Sequence, residues 1–418
     1  MNISYFDDAR VTEKLLLQKT KSLQAYRQQI LEYTNNNDLG VPEASLYYPK
    51  DISLHDAVTE ASARSKKLKY VLLIGIGGQS LGVEAVHAVL DTGKTKLLVL
   101  DTVSVSRLHE VREELKACKK VSQIAICVSS KSGATIEVLA NASVILSELE
   151  ERFGKTIYEQ TYFIGSENSD FMKQGKKFGA TCLTMPISIG GRFSISTNAG
   201  FVPLALLGHD VDEFIAGYVD AAHETLESVV ADSAARLAVY HQLKYPHYNF
   251  FAFETRLEKM GNWYRQLFGE SLGKEKDKSG KDVAHTMVPA ISTPVELHSV
   301  GQLYMSGVPA VYTDFVTFDD EELDVMLPKG NKLAPALKGY SLQEVATALY
   351  GGVIGAYQEQ QLPYRATIFE EELAYSVGQF MAMRLREVMY VAYLLNLNAF
   401  DQPNVELYKT KTKEILFL

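Results

Sequence analysis

Tyr70-Val71-Leu72-Leu73-Ile74 is apolar along its whole length and stops at Gly75-Ile76-Gly77-Gly78-Gln79-Ser80-Leu81-Gly82, after which a helical pattern begins. An unbroken apolar strand closed by glycines and followed by a helix belongs in a parallel sheet covered on both faces. The pattern recurs. Strands are expected at Lys96–Asp101, Gln123–Val128 and Thr161–Ile164, with helix between them through about Arg152. Helical spacing is also found over residues 8–36 and near 53–66. A largely helical stretch, roughly 197–244, leads to a second series. That series has strand Tyr248–Phe253, helix near 255–267, strand around Thr286–Ile291, helix near 294–306, strand Ala310–Phe318 and a long helix at 369–395. The two halves read as a loose duplication of one α/β sandwich.

With 418 residues, 46% of them apolar and 22% charged, the chain has material for large cores and two or three domains. A net charge of −9 without a long basic run argues against nucleic acid as a partner. It leaves a small anion open, because local charge decides that. Cys118, Cys127 and Cys182 form no CxxC pair, which points to a reducing cytoplasm and to no structural zinc. The first residues, MNISYFDDARVTEK, are acidic where a signal peptide would be basic, and no apolar stretch reaches membrane-spanning length.

Several segments have the makings of a binding or catalytic site. The glycine-rich turn can bring backbone close to a ligand at a helix start. It is not a dinucleotide fingerprint, which needs glycine at Ser80, nor a P-loop, which needs lysine and a hydroxyl residue where Val83 and Glu84 stand. Taken alone it serves equally well as a tight connection. Ser129-Ser130-Lys131-Ser132-Gly133-Ala134-Thr135 ends a buried strand with four hydroxyls and a lysine, a set suited to a phosphate dianion. One N-cap would need only one hydroxyl. Arg192, after Gly190 and Gly191, can offer its fork to an oxyanion or to a surface ion pair. Glu270, between Gly269 and Ser271 at a helix end, suits a base if partly desolvated. His298 falls on the helix expected near 294–306 and titrates near neutrality, although a lone histidine is more often a packing residue. Lys274–Lys281 (KEKDKSGK) reads as a polar surface loop. Lys409 by itself reads as a solvated charge.

These segments occur together and in order. GIGGxSLG, SSKSGATxE, GGRFS, GESLGK, ELHSVGQ and FDQxxVELxK resemble the successive motifs of the glucose-6-phosphate isomerase family, over about residues 70 to 409. The resemblance implies two sugar-isomerase (SIS) domains, each a three-layer αβα sandwich with a mainly parallel sheet, plus helical N- and C-terminal segments. The corresponding boundaries are 1–48 for a helical segment packing on the second domain, 49–210 for the first domain and 211–418 for the second with its C-terminal helices. It implies interconversion of glucose 6-phosphate and fructose 6-phosphate through a cis-enediolate, without metal or cofactor, by a cytoplasmic homodimer. Glu270 falls on the family's base, His298 on its ring-opening histidine, Lys409 on the lysine assisting it, and Arg192 on the arginine that stabilises the enediolate. Ser130, Lys131, Ser132 and Thr135 fall on the phosphate loop, while Gly78, Gln79, Gln266 and Gln402 line the rest of the pocket. His298 would serve the partner subunit's site. The chain departs from the family where Gln79 replaces a usual serine, where Ser132, Gly133 and Ala134 replace threonines and a bulky residue, and where Asn404 replaces a glycine. Two other classes fit parts of the pattern. A non-catalytic phosphosugar sensor would lack Glu270, Arg192 and Lys409 as a set. A nicotinamide-dependent dehydrogenase is suggested by the glycine turn and by Asp101.

Overall fold

The computed structural model describes residues 1–417 apart from 222–223, 309, 320–322, 331 and 371. The chain starts with strand β1 (Asn2–Phe6), helices α1 (Glu13–Ser22) and α2 (Gln24–Asn35), and α3 (Ile52–Ser65). The single helix expected over 8–36 is thus two, meeting at Leu23. A sheet unit follows: β2 (Tyr70–Ile74), α4 (Leu81–Leu90), β3 (Lys96–Leu100), α5 (Val105–Lys116), β4 (Ile124–Ser130), α6 (Ile136–Phe153), β5 (Thr161–Gly165), α7 (Asp170–Phe178) and β6 (Thr181–Thr184). Its five strands lie in the order β3-β2-β4-β5-β6, all parallel. Both faces are buried, and the side chains divide by alternation. Val71 and Leu73 of β2 join one core with Ala125 and Cys127 of β4, while Leu72 and Ile74 join another with Ile126 and Val128.

Helices α8 (Asn198–Leu207), α9 (Val211–Ala221) and α10 (Glu224–Gln242) connect to the second unit. It comprises β7 (His247–Ala252), α11 (Glu258–Leu272), β8 (Val288–Ser292), α12 (Gly301–Met305), β9 (Val311–Phe318), α13 (Leu342–Glu359), β10 (Tyr364–Phe369), α14 (Leu373–Leu394) and α15 (Glu406–Phe417). The sheet order is β1-β10-β9-β7-β8, parallel except for β1, which pairs antiparallel with β10. The first strand of each series sits inside its sheet, its successor lies on one side, and the remaining strands lie on the other. That shared order is the duplication. Among the described residues no helix is long and apolar enough to cross a membrane.

Two further expected helices are corrected. The segment 294–306 is a 3-10 turn, Pro294–His298, followed by the short α12. Thr293 and Glu296 form a reciprocal capping box that starts the turn, and Ser299 leaves helical geometry (φ −128°, ψ −71°). The long helix expected from 369 starts at Leu373, because Tyr364–Phe369 is the strand β10.

Candidate active site

In an open parallel sheet, ligands bind beyond the carboxyl ends of the strands, where neighbouring connections leave in opposite directions. In the first sheet that point lies between β2 and β4. The glycine-rich turn leaves β2 there, and the hydroxyl-rich loop leaves β4. Gly77 has φ +59°, and a Cβ on Gly78 would lie 2.1 Å from the Gly191 carbonyl, so the turn is pressed onto the segment carrying Arg192.

Arg192 sits on a 3-10 turn, Gly191–Ser196, and is 3% exposed. Its Nε donates to Ser271 Oγ at 2.9 Å. One terminal nitrogen donates to Glu270 Oε2 at 3.1 Å and Gln402 Oε1 at 2.8 Å. The other donates to the carbonyls of Ala399 at 2.5 Å and Asp401 at 3.1 Å. Burial pulls the guanidinium below its usual pKa, and the Glu270 carboxylate pulls it back up. Glu270 lies in the last turn of α11, where the helix end leaves its carboxylate 36% exposed. Its other oxygen accepts from Gln266 Nε2, one turn earlier, at 3.2 Å. Three segments remote in sequence therefore meet at one ion pair: the Arg192 turn, the end of α11 and the stretch from Ala399 to Gln402.

The hydroxyl loop adjoins this cluster. Gly133, at φ +68°, lets the loop turn, and a Cβ there would lie 2.6 Å from Phe171. Thr135 occupies the N-cap position of α6 without capping it. Its hydroxyl lies 3.0 Å from Ser130 Oγ instead. Ser132 Oγ accepts from the Ala134 amide at 3.2 Å. Burial lowers the pKa of the Lys131 ammonium, and the positive charge of Arg192 pushes it the same way, so the two cations feel one another.

Of the expected residues, Gly78, Gln79, Arg192, Gln266, Glu270 and Gln402 are joined by contacts around the ion pair, with Ser130, Lys131, Ser132 and Thr135 on the adjoining loop. Two are not joined to it by any hydrogen bond or ion pair among the described residues. His298 is exposed at the end of its 3-10 turn. Lys409 is exposed on α15 and pairs with Glu406 at 2.7 Å. Sequence reasoning missed Lys274, placed in a polar surface loop. Its side chain is only 5% exposed, and its ammonium donates to the Glu270 carbonyl at 2.8 Å and to Asp401 Oδ1 at 2.9 Å. It ties the end of α11 to the segment holding Gln402. Ser271 and Asp401 escaped notice too, although both stand inside quoted motifs.

A pair of doubly wound αβα units with this crevice at the first switch point is the sugar-isomerase (SIS) architecture. A family model for phosphoglucose isomerase matches residues 40–417, and the chain belongs to that family. The chain is 29% identical to the glucose-6-phosphate isomerase of Carboxydothermus hydrogenoformans over 86% of its length and 82% of the relative's. With the glucose-6-phosphate isomerase of Thermus thermophilus the identity is 30%, covering 82% of this chain and 83% of that one. A crystal structure of a hypothetical protein from the same organism superposes with a TM-score of 0.87 at 26% identity, covering 99% of this chain and 100% of the other.

Proposed function

We propose that this protein interconverts glucose 6-phosphate and fructose 6-phosphate by proton transfer between C1 and C2. The observation that carries the reading is the Arg192–Glu270 ion pair, 3.1 Å across, beside a loop built for a phosphate. Ser130, Ser132, Thr135 and Lys131 take the phosphate with the free amides at the start of α6. Its binding energy sets the other end of the sugar against Glu270. His298 and Lys409 promote ring opening, breaking the bond between C1 and the ring oxygen. Glu270 removes the C2 proton. The C–H electron pair becomes the C1=C2 double bond, and the carbonyl electrons move onto O1. The enediolate then shifts a proton between O1 and O2, and Glu270 returns its proton to C1.

Arg192 has five N–H groups and five acceptors, so it must trade one to meet the enediolate. Proton transfer itself supplies the occasion. Glu270 loses its negative charge as the sugar oxygen gains one, and the shared N–H follows the charge. Gly78, Gln266 and Gln402 wall the pocket.

The active form in this reading is a cytoplasmic homodimer with His298 serving the partner's site, and the sugar-isomerase domains span 49–210 and 211–418. Support for an interface with a second subunit comes from α15, which buries no residue and exposes Leu407, Tyr408, Ile415, Leu416 and Phe417. A coupled assay of fructose 6-phosphate conversion without added metal tests the activity. Absence of turnover by the folded protein refutes it.

A further inference from the structure

Gln79 stands in the glycine-rich turn where the resembling family usually has serine. It is 7% exposed, so its amide has been taken out of water and needs partners. Those partners fix which way it points. Ser194 Oγ spends its one hydrogen on the Gly191 carbonyl at 2.7 Å, with the Gly78 carbonyl also in reach at 3.1 Å. Toward Gln79 it can only accept, and Gln79 Nε2 donates to it at 3.0 Å. That leaves Gln79 Oε1 to accept from Ser129, whose hydroxyl lies 2.5 Å away. Ser129 directly precedes Ser130 at the end of β4. Ser194 is two residues past Arg192 on the same 3-10 turn. A single amide therefore spans the strand that delivers the phosphate loop and the turn that delivers the arginine.

We propose that Gln79 is a positioning residue that fixes the spacing between the phosphate loop and the Arg192 turn without touching the sugar. The kinetic part of this inference rests on the isomerase reading. A sugar phosphate has a set length between its phosphate and its reacting carbons, so the two anchors must keep a set separation. A misplacement of roughly 1 Å can cost about 10²-fold in rate. Serine at this position is too short to reach both hydroxyls, so the brace belongs to this chain's own sequence.

The test compares the native protein with Gln79→Leu, which keeps the bulk and removes both bonds, and with Ser194→Ala. For Gln79→Leu we expect kcat for fructose 6-phosphate to fall about 10- to 100-fold. The inhibition constant of inorganic phosphate should stay within roughly twofold, because the loop itself is intact. Combining Gln79→Leu with Ser194→Ala should cost little more than Gln79→Leu alone, since both cut the same link. Unchanged kcat, a change confined to KM, or fully multiplicative effects would overturn the proposal. Hydrogen exchange of the amides of residues 191–196 reads the brace without any substrate. Exchange should quicken there in Gln79→Leu and not in β5, and equal exchange in both proteins overturns the proposal. If the native protein fails to turn over sugar phosphate, the isomerase reading falls and the exchange result still decides the brace. Should Gln79→Leu not fold, Gln79→Asn, one methylene too short to span both serines, gives the same comparison.

Discussion

Glu270 is held on two sides by residues that can adapt to its replacement. In Glu270→Gln, the new amide oxygen can keep the Arg192 N–H, and its NH2 then faces Gln266. Among the described residues Gln266 has a buried Oε1 with no partner, so turning its amide over restores the bond. The geometry and substrate binding should survive while the proton acceptor is lost. Turnover is expected to drop about 10²- to 10⁴-fold with KM changed little. Steady-state kinetics on the folded variant checks this, and near-native turnover would mean that another group is the base. Lys274 shows how a residue's role hides in sequence. Its neighbours Glu275, Lys276, Asp277 and Lys278 are charged and give the segment the look of solvent-facing chain. Only the fold shows that Asp401, over a hundred residues later, comes back to meet it.

At the scale of elements, the uncapped start of α6 is the feature with the most direct consequence. Thr135 meets Ser130 rather than its own helix, so replacing Ser130, Ser132 and Thr135 together with alanine removes hydroxyls that the helix does not need. The triple variant should fold with its melting temperature little changed, and KM for the sugar phosphate should rise far more than kcat falls. An unchanged KM would remove the phosphate from this loop.

A second element contact responds to acid. His209, just past α8, lies 2.9 Å from His87 in the last turn of α4, with Asp91 beyond it. Burial, with His87 adding to it, holds His209 down to about 4, against 6.5 in an unfolded chain. Between those values the unfolded chain binds a proton that the folded one refuses, so stability falls as pH drops from 6.5 toward 4 and levels off below. The loss from this residue is on the order of 3 kcal/mol. His209→Gln should flatten that part of the melting-temperature profile relative to the native protein, and parallel profiles would dissociate His209 from it.

Elements buried on both faces were legible in sequence because nothing polar interrupts them: β2 and β4 are the clearest cases. Two of the edge strands, β1 and β6, were not. β6 has four residues, none buried, and β1 has no buried residue either, with Asn2 and Ser4 exposed. Helix α13 buries only Val353 and Tyr357, too few to write an apolar stripe. The site was legible as pieces, through glycines and hydroxyls at strand ends. The hydrogen bonds that Arg192 makes to the carbonyls of Ala399 and Asp401 were not, since any residue supplies a carbonyl.

For the molecule as a whole, the exposed positions of His298 and α15 give the proposed dimer a sharp test. Glu270→Gln and His298→Ala are each expected to be inactive. Refolded together, half of the dimers should be mixed, and each mixed dimer should carry one intact site of two if His298 crosses the interface. About a quarter of native activity should return. A mixture no more active than its parents would place His298 in its own subunit's site.

The antiparallel pairing of β1 with β10 sets an order on how this chain can be built. Asn2 pairs with Ile368 and Phe6 with Tyr364, so strands at opposite ends of the chain are neighbours. A ribosome releases β1 long before β10 exists. The strands β2 through β6 can pair with one another in the meantime, because all of them lie within residues 70–184. The second sheet has no such freedom. Its outer strand must stay unpaired until almost the entire polypeptide has emerged, and closing so long a loop is the slow kind of contact to make. A nascent chain stalled before residue 364 would therefore carry one finished sheet and one lacking both β10 and the place where β1 docks.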